Sequence, residues 1–202
     1  MEREIIVYGL GGQGIVVSSK IVGQAAVLEG RFAAHFASYR PLVRGGSCQC
    51  NLIVGSAPIA SPPVLDAASD AIVMHRAFLP VAEKVLRPGG TLLLNTSSAP
   101  EGAGRRDLHV LAVPASDLAE EMGNALVASM IAVGAFLEKT GLASLDAAVR
   151  ALGEVLPARR QQIIKANEAA LRRGAEFVRL NPHAWQPASS DIVAAQRPVG
   201  SV

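Results

Sequence analysis

The sequence predicts a doubly wound α/β domain on a mostly parallel sheet, with a β-hairpin insertion and a helical C-terminal part. Three observations point to it. The apolar run from Glu4 to Tyr8 leads through Gly9-Leu10-Gly11-Gly12-Gln13-Gly14 directly into a helical pattern starting at Ile15. The runs from Asp70 to Met74 and from Thr91 to Asn95 are almost continuously apolar and flank an amphipathic stretch from Ala77 to Leu86, which is how parallel strands covered on both faces read. From Ser116 onward the periodicity is helical.

Each element follows from local chemistry. Glycines in the opening turn permit positive φ and a close approach by a ligand, and the N–H groups and dipole of the helix behind them favour an anion such as a phosphate. The spacing of Gly9, Gly11 and Gly14 fits G-x-G-x-x-G in its strand-then-helix context. A dinucleotide enzyme, however, needs an acid at the end of the second strand to hold the ribose. That strand, Arg31 to Phe36, runs into Ala37-Ser38, and Glu29 precedes it. The turn is therefore either a phosphate cradle for another nucleotide or a packing device, with nicotinamide binding the weaker alternative.

A loop from Ser38 to Gly46 follows, then an alternating strand with Cys48, Cys50, Leu52 and Val54 on one face and Ser47, Gln49, Asn51 and Ile53 on the other. Gly55-Ser56 and the prolines Pro58, Pro62 and Pro63 predict a hairpin with the segment after the strand. Arg87-Pro88-Gly89-Gly90 stops the next helix, and another strand is expected from Leu108 to Val113. Ser116 with Glu120 suggests a capped helix start. Further helices are expected near 126–139, 144–156 and 158–178, with breaks at Gly141 and Pro157. The domain is expected to end near residue 180. Residues 181–202 read as a tail that is either disordered or an arm anchored on a neighbouring subunit by Trp185.

Composition narrows the function classes. A chain of 202 residues, 50% hydrophobic, suits one sizeable domain, and its net charge of +2 with no basic-aromatic run argues against nucleic acid. Met1-Glu2-Arg3-Glu4 carries no signal-peptide pattern, and the apolar stretch from Ala125 to Leu137 is shorter than the ~20 residues of a membrane helix, so a cytoplasmic chain without membrane insertion is expected. The two cysteines read best as buried thiols, and His35, His75, His109 and His183 form no nucleophile–base motif.

In order, Gly9-Leu10-Gly11-Gly12-Gln13-Gly14, Ser38-Tyr39 with Arg44-Gly45-Gly46, Pro58-Ile59 with Ser61-Pro62, Gly89-Gly90 before a strand, and Gly134-Ala135 in a helix resemble the gamma subunit or domain of the 2-oxoacid:ferredoxin (acceptor) oxidoreductases, which act on pyruvate, 2-oxoglutarate, indolepyruvate or phenylglyoxylate. The resemblance spans residues 4 to 180. It implies a Rossmann-like fold and a non-cluster subunit, inactive alone, of an enzyme that oxidatively decarboxylates a 2-oxoacid to its acyl-CoA. The implied partners are alpha and beta subunits holding thiamine diphosphate and Mg, and a ferredoxin-like subunit holding iron–sulfur clusters.

Coenzyme A is then the ligand implied for this chain, with its diphosphate on Gly9, Gly11, Gly12, Gln13 and Gly14. Ser38, Tyr39, Arg40, Arg44, Gly45 and Gly46 complete the implied site. Arg44 either contacts phosphate or pairs across a subunit interface. Tyr39 and Arg40 either line the pantetheine channel or pack. No catalytic or metal residue is implied here. The chain departs from the family pattern at Arg40, where a glycine is usual, at Leu42-Val43, where an acid is lost, and at Ser129, where Asn is frequent.

Overall fold

The computed structural model describes residues 2–40, 46–60, 66–156 and 161–189. Strand β1 (Arg3–Leu10) is followed by α1 (Ile15–Leu28), β2 (Phe32–Arg40), β3 (Ser47–Gly55) and β4 (Ala68–Val73). A 3-10 turn (Arg76–Phe78) precedes α2 (Leu79–Val85), β5 (Leu86–Asn95), β6 (His109–Val113), α3 (Ala115–Glu121), α4 (Ala128–Thr140), α5 (Leu145–Val155), α6 (Gln161–Leu180) and β7 (Trp185–Gln186).

The strands form one sheet in the order β2-β3-β1-β4-β5-β6-β7. β1, β4, β5 and β6 are mutually parallel, whereas β3 is antiparallel to both β1 and β2, and β7 is antiparallel to β6. β2 thus points the same way as β1 but is separated from it by β3. The antiparallel pair is β2–β3, so the hairpin is formed with the strand before β3 and not, as expected, with the segment after Gly55. β1 and β2 occupy both edges of β3, and residues 56–60 carry no strand.

The faces are covered unequally. α1, α3, α4, α5 and α6 pack on one side around Ile5, Val7, Cys50, Leu52 and Phe136, while α2 covers Ile6, Tyr8, Leu92 and Leu94 on the other. At the N-terminal edge of the parallel strands, fully buried Asp70 accepts two hydrogen bonds from Arg3, at 2.9 and 2.5 Å. A buried carboxylate held this way is stable only while its cation stays.

One local expectation changes. Pro114, not Ser116, precedes the first residue of α3 and no side chain caps that helix. Instead Asn95, buried at the end of β5, donates to Met74 O and to Ser116 Oγ and accepts from Ser116 N, tying β4, β5 and α3 together. Trp185 pairs in β7 with Leu111, stacks on His109 at 5.3 Å, and lies 4.4 Å below the Lys139 ammonium. Among the described residues, chain contacts with the sheet continue past residue 180 to Ser189, whose N–H bonds Arg106 O. Residues 190–202 lie outside the described residues.

Candidate functional site

The carboxyl ends of β1, β2, β4, β5 and β6 lie along one edge of the sheet, where ligands of open α/β sheets bind. The glycine turn occupies that edge. Gly14 is left-handed (φ 74, ψ 16) and starts α1 with no side-chain cap, so the first N–H groups of a 14-residue helix keep their donors and positive end for a ligand. Gly12 is also left-handed (φ 91), and a Cβ there would enter open space.

The other turn residues hold the shape. A Cβ on Gly9 would collide with Ile15 and stand 2.8 Å from Gln13 Oε1, so this glycine serves packing. Gln13 Oε1 accepts from Leu10 N at 2.7 Å and Gln13 N donates to Leu10 O at 3.2 Å, closing the turn from both sides. Gly11 N donates to Gly46 O at 2.8 Å, joining the turn to the start of β3.

Register brings in the remaining residues. Leu10 faces Ser47, which faces Arg40; Gly9 faces Cys48, which faces Tyr39; and Ser38 faces Gln49. Ser38 lies on the α2 side of the sheet, in a hollow of about 170 Å³ with Tyr8, Gln49 and Phe78. Ser38, on the α2 side, and the glycine turn leading into α1 thus lie at the same edge of the sheet. Arg44 and Gly45, with Ser61 and Pro62, fall outside the described residues.

Two features escaped sequence reasoning. Arg76 is exposed just beyond β4, whose continuation Met74 bonds Tyr8 O at the end of β1; a lone Arg after a strand carries no pattern. Ser129, buried in α4, places its hydroxyl against Gly14, where a Cβ would come within 2.8 Å of Oγ. That contact spans 115 residues of sequence and no local signal announces it.

The cysteines behave as structural thiols. Both are buried, and burial pushes Cys48 up to about 11 and Cys50 upward as well. Such thiols are poor metal ligands and poor nucleophiles at neutral pH. No described helix is long and apolar enough to cross a membrane.

Known proteins share this architecture. The 2-oxoglutarate synthase subunit KorC of Methanothermobacter marburgensis is 30% identical over 185 residues, covering 88% of this chain and 97% of its own length. The ketoisovalerate oxidoreductase subunit VorA of Methanothermobacter thermautotrophicus is 28% identical over 181 residues, 89% of this chain but 37% of the relative. The gamma subunit of a keto/oxoacid ferredoxin oxidoreductase from Geobacter sulfurreducens has the same fold, with a TM-score of 0.74 at 23% identity, over 88% of this chain and 99% of that one. So does 2-oxoglutarate:ferredoxin oxidoreductase from Magnetococcus marinus, solved with 2-oxoglutarate, coenzyme A and succinyl-CoA bound. Its TM-score is 0.79 at 18% identity, over 89% of this chain and 31% of that one. Residues 4–177 match the family described as pyruvate ferredoxin/flavodoxin oxidoreductase.

Proposed function

This chain belongs to the pyruvate ferredoxin/flavodoxin oxidoreductase family, and we propose that it is the gamma-type subunit of a 2-oxoacid:acceptor oxidoreductase, holding coenzyme A for partner subunits. The observation that carries the proposal is the glycine turn: uncapped α1 amides behind Gly12, whose missing side chain leaves open space at the sheet's carboxyl edge. A nucleotide diphosphate fits such a cradle.

Each group has a defined task. Gly12, Gly14 and the α1 amides bind the diphosphate, and Gln13 and Gly46 keep the turn in that shape. Arg40, the last residue of β2, and Arg44 supply cation for the phosphates, and Arg76 supplies it from the 3-10 turn after β4. Ser38, Tyr39 and Gly45 complete the loop wall. Coenzyme A, as substrate, supplies the thiol that accepts an acyl group formed on the partners. The contribution of this subunit to rate is positional, through restricted freedom of the bound thiol rather than proton transfer.

Thiamine diphosphate with Mg and the iron–sulfur clusters belong to other subunits in this reading. With two cysteines in the whole chain, four-thiolate ligation is impossible from this polypeptide alone. A nicotinamide dehydrogenase fits less well. β3 separates β2 from β1, which removes the neighbouring strand that carries the ribose-binding acid. Glu29, the nearest acid, is instead committed to Ser144 N at 2.9 Å.

The test is affinity purification of the tagged full-length chain from its native cell, followed by assay of the recovered complex. Recovery of thiamine-binding and cysteine-rich companions, with coenzyme-A-dependent reduction of a viologen dye by a 2-oxoacid, is the expected result. NAD(H) turnover by the isolated chain would overturn the proposal.

A further inference from the structure

β2 ends the sheet on one side, and among the described residues no strand pairs with its outer flank. Alternate N–H and C=O groups of such a strand are left for another chain, and proteins ordinarily blunt an edge with charge, proline or a bulge. The run Phe32-Ala33-Ala34-His35-Phe36-Ala37-Ser38 has none of these. It holds no Lys, Arg, Asp, Glu or Pro, and the register of β2 to β3 is unbroken from Phe32 to Arg40. Phe32 and Phe36 are 44% and 48% exposed. Both lie on the α2 side, because their partners Gly55 and Asn51 alternate with Val54, Leu52 and Cys50, which face α1. α2, the helix on that side, packs on β4.

The sequence of β2 is complementary to itself. If β2 meets a second β2 antiparallel about a two-fold axis at Ala34, Phe32 faces the second copy's Phe36, Ala33 faces its His35, and the two Ala34 methyl groups face each other. On the open α2 side this forms two aromatic cross-strand pairs. On the α1 side each imidazole meets an alanine. The same patch serves both copies, as a two-fold contact requires.

The charges agree with this axis. Ser19 touches His35, and a Cβ on Gly23 would lie 3.6 Å from the Ala33 Cβ, so α1 runs along β2 with Lys20 level with His35 and Gln24 level with Ala33. Facing Ala33 with His35 therefore brings Lys20 of one copy toward Gln24 of the other. Gln24 donates to the exposed Glu154 carboxylate at the end of α5. Lys20 is exposed and, among the described residues, forms no ion pair. The two-fold thus sets an ammonium toward a carboxylate on each side of the axis.

We propose that two copies of this chain join through β2, antiparallel about Ala34, so that their seven-stranded sheets become one. The proposal does not depend on the coenzyme A reading and leaves that site open. Ser38 faces the second copy's Gly30, where β2 has not yet begun, and Tyr39 and Arg40 extend beyond it.

Sedimentation equilibrium of the full-length chain tests the proposal. The chain should approach twice its 21.0 kDa mass across the micromolar range. Phe36→Lys, at an exposed position, should keep its circular dichroism spectrum and raise the dimer dissociation constant about tenfold or more, because each dimer loses two aromatic pairs. Mixing it with Phe32→Glu should restore pairing, the new cation of one copy facing the new anion of the other. Ala34→Cys should give a disulfide-linked dimer on mild oxidation, in the isolated chain and in the purified complex, since opposed residues of paired strands stand within disulfide reach. If the unaltered chain stays at 21.0 kDa, if Phe36→Lys dimerises like it, or if the mixture remains monomeric, the proposal fails. Cross-linking by Phe36→Cys but not by Ala34→Cys would put the axis elsewhere and overturn the register. A cross-link from Ala34→Cys to a different subunit of the complex would give this flank to that subunit and exclude the second copy.

Discussion

Gly134 lies against Leu171 and Gly174 against Ile131 where α4 crosses α6, and neither position has room for a methyl group. A Cβ on Gly134 would overlap the Leu171 carbonyl and approach Leu171 Cα to 2.9 Å; on Gly174 it would overlap the Ile131 carbonyl and approach Ala135 N to 2.9 Å. The obstacle in both cases is backbone, which cannot swing aside.

Gly134→Ala or Gly174→Ala should therefore destabilise the fold by about 1–3 kcal/mol, the usual cost of overpacking, despite the better helix propensity of Ala. Urea melts of the two variants check this. A midpoint equal to that of the unaltered chain would mean the helices pack less closely than described.

The glycine turn separates into packing and binding positions. Gly9→Ala meets Ile15 and Gln13 and should lower stability whether or not ligand is present. Gly12→Ala points into open space but is held at φ 91, so it should cost about 1–2 kcal/mol of stability and weaken coenzyme A at least about tenfold, since one obstructed contact is worth about 1.4 kcal/mol. Calorimetry with a parallel thermal melt distinguishes the two. Undiminished coenzyme A affinity in Gly12→Ala would remove the turn from the binding site.

What was legible in the sequence follows from what is local. The strand, glycine turn and helix from Arg3 to Leu28 are written in consecutive residues, and so is the burial of Cys48, Cys50, Leu52 and Val54. Strand order is a pairing between distant segments. Gly55, Ser56 and Pro58 looked like a tight hairpin, yet β3 turns back along β1 and β2 through a loop whose residues alternate no better than those around it. Asn95 substitutes for a capping side chain at α3, and Ser129 reaches Gly14, through contacts that tertiary folding creates. The family resemblance located the edge at which ligands bind; the geometry located the open flank of β2.

His35, whose Nε2 lies 2.7 Å from Ser19 Oγ, makes stability depend on pH. Half-buried between α1 and β2, His35 is held below its ordinary value near 6.5, first by burial and then by the charge of Lys20. A depressed basic group binds protons more readily when unfolded, so stability rises with pH until the unfolded value is passed and is level above it. Urea melts should show stability falling as pH drops below about 6.5, the ordinary histidine value, and His35→Gln should flatten that segment of the curve. An unchanged slope in His35→Gln would assign the effect to other groups.

Trp185, the chain's single tryptophan, reports on the docking of β7. Its ring stacks on the imidazole of His109 and lies 4.4 Å from the Lys139 ammonium, and His109 Nδ1 accepts from Ala188 N at 3.0 Å. With Nδ1 accepting, the ring N–H of the neutral imidazole sits on Nε2. His109→Ala removes both the stack and the bond to Ala188, and aromatic pairs of this kind are worth about 0.5–1.5 kcal/mol. β7 is two residues long, its register being Val110 to Gln186 and Leu111 to Trp185. The variant should therefore show red-shifted tryptophan emission and faster proteolytic cleavage after residue 180, with the global melt lowered by no more than about 1–2 kcal/mol for a terminal element. Emission and cleavage identical to those of the unaltered chain would mean that β7 is fastened by other contacts than this stack.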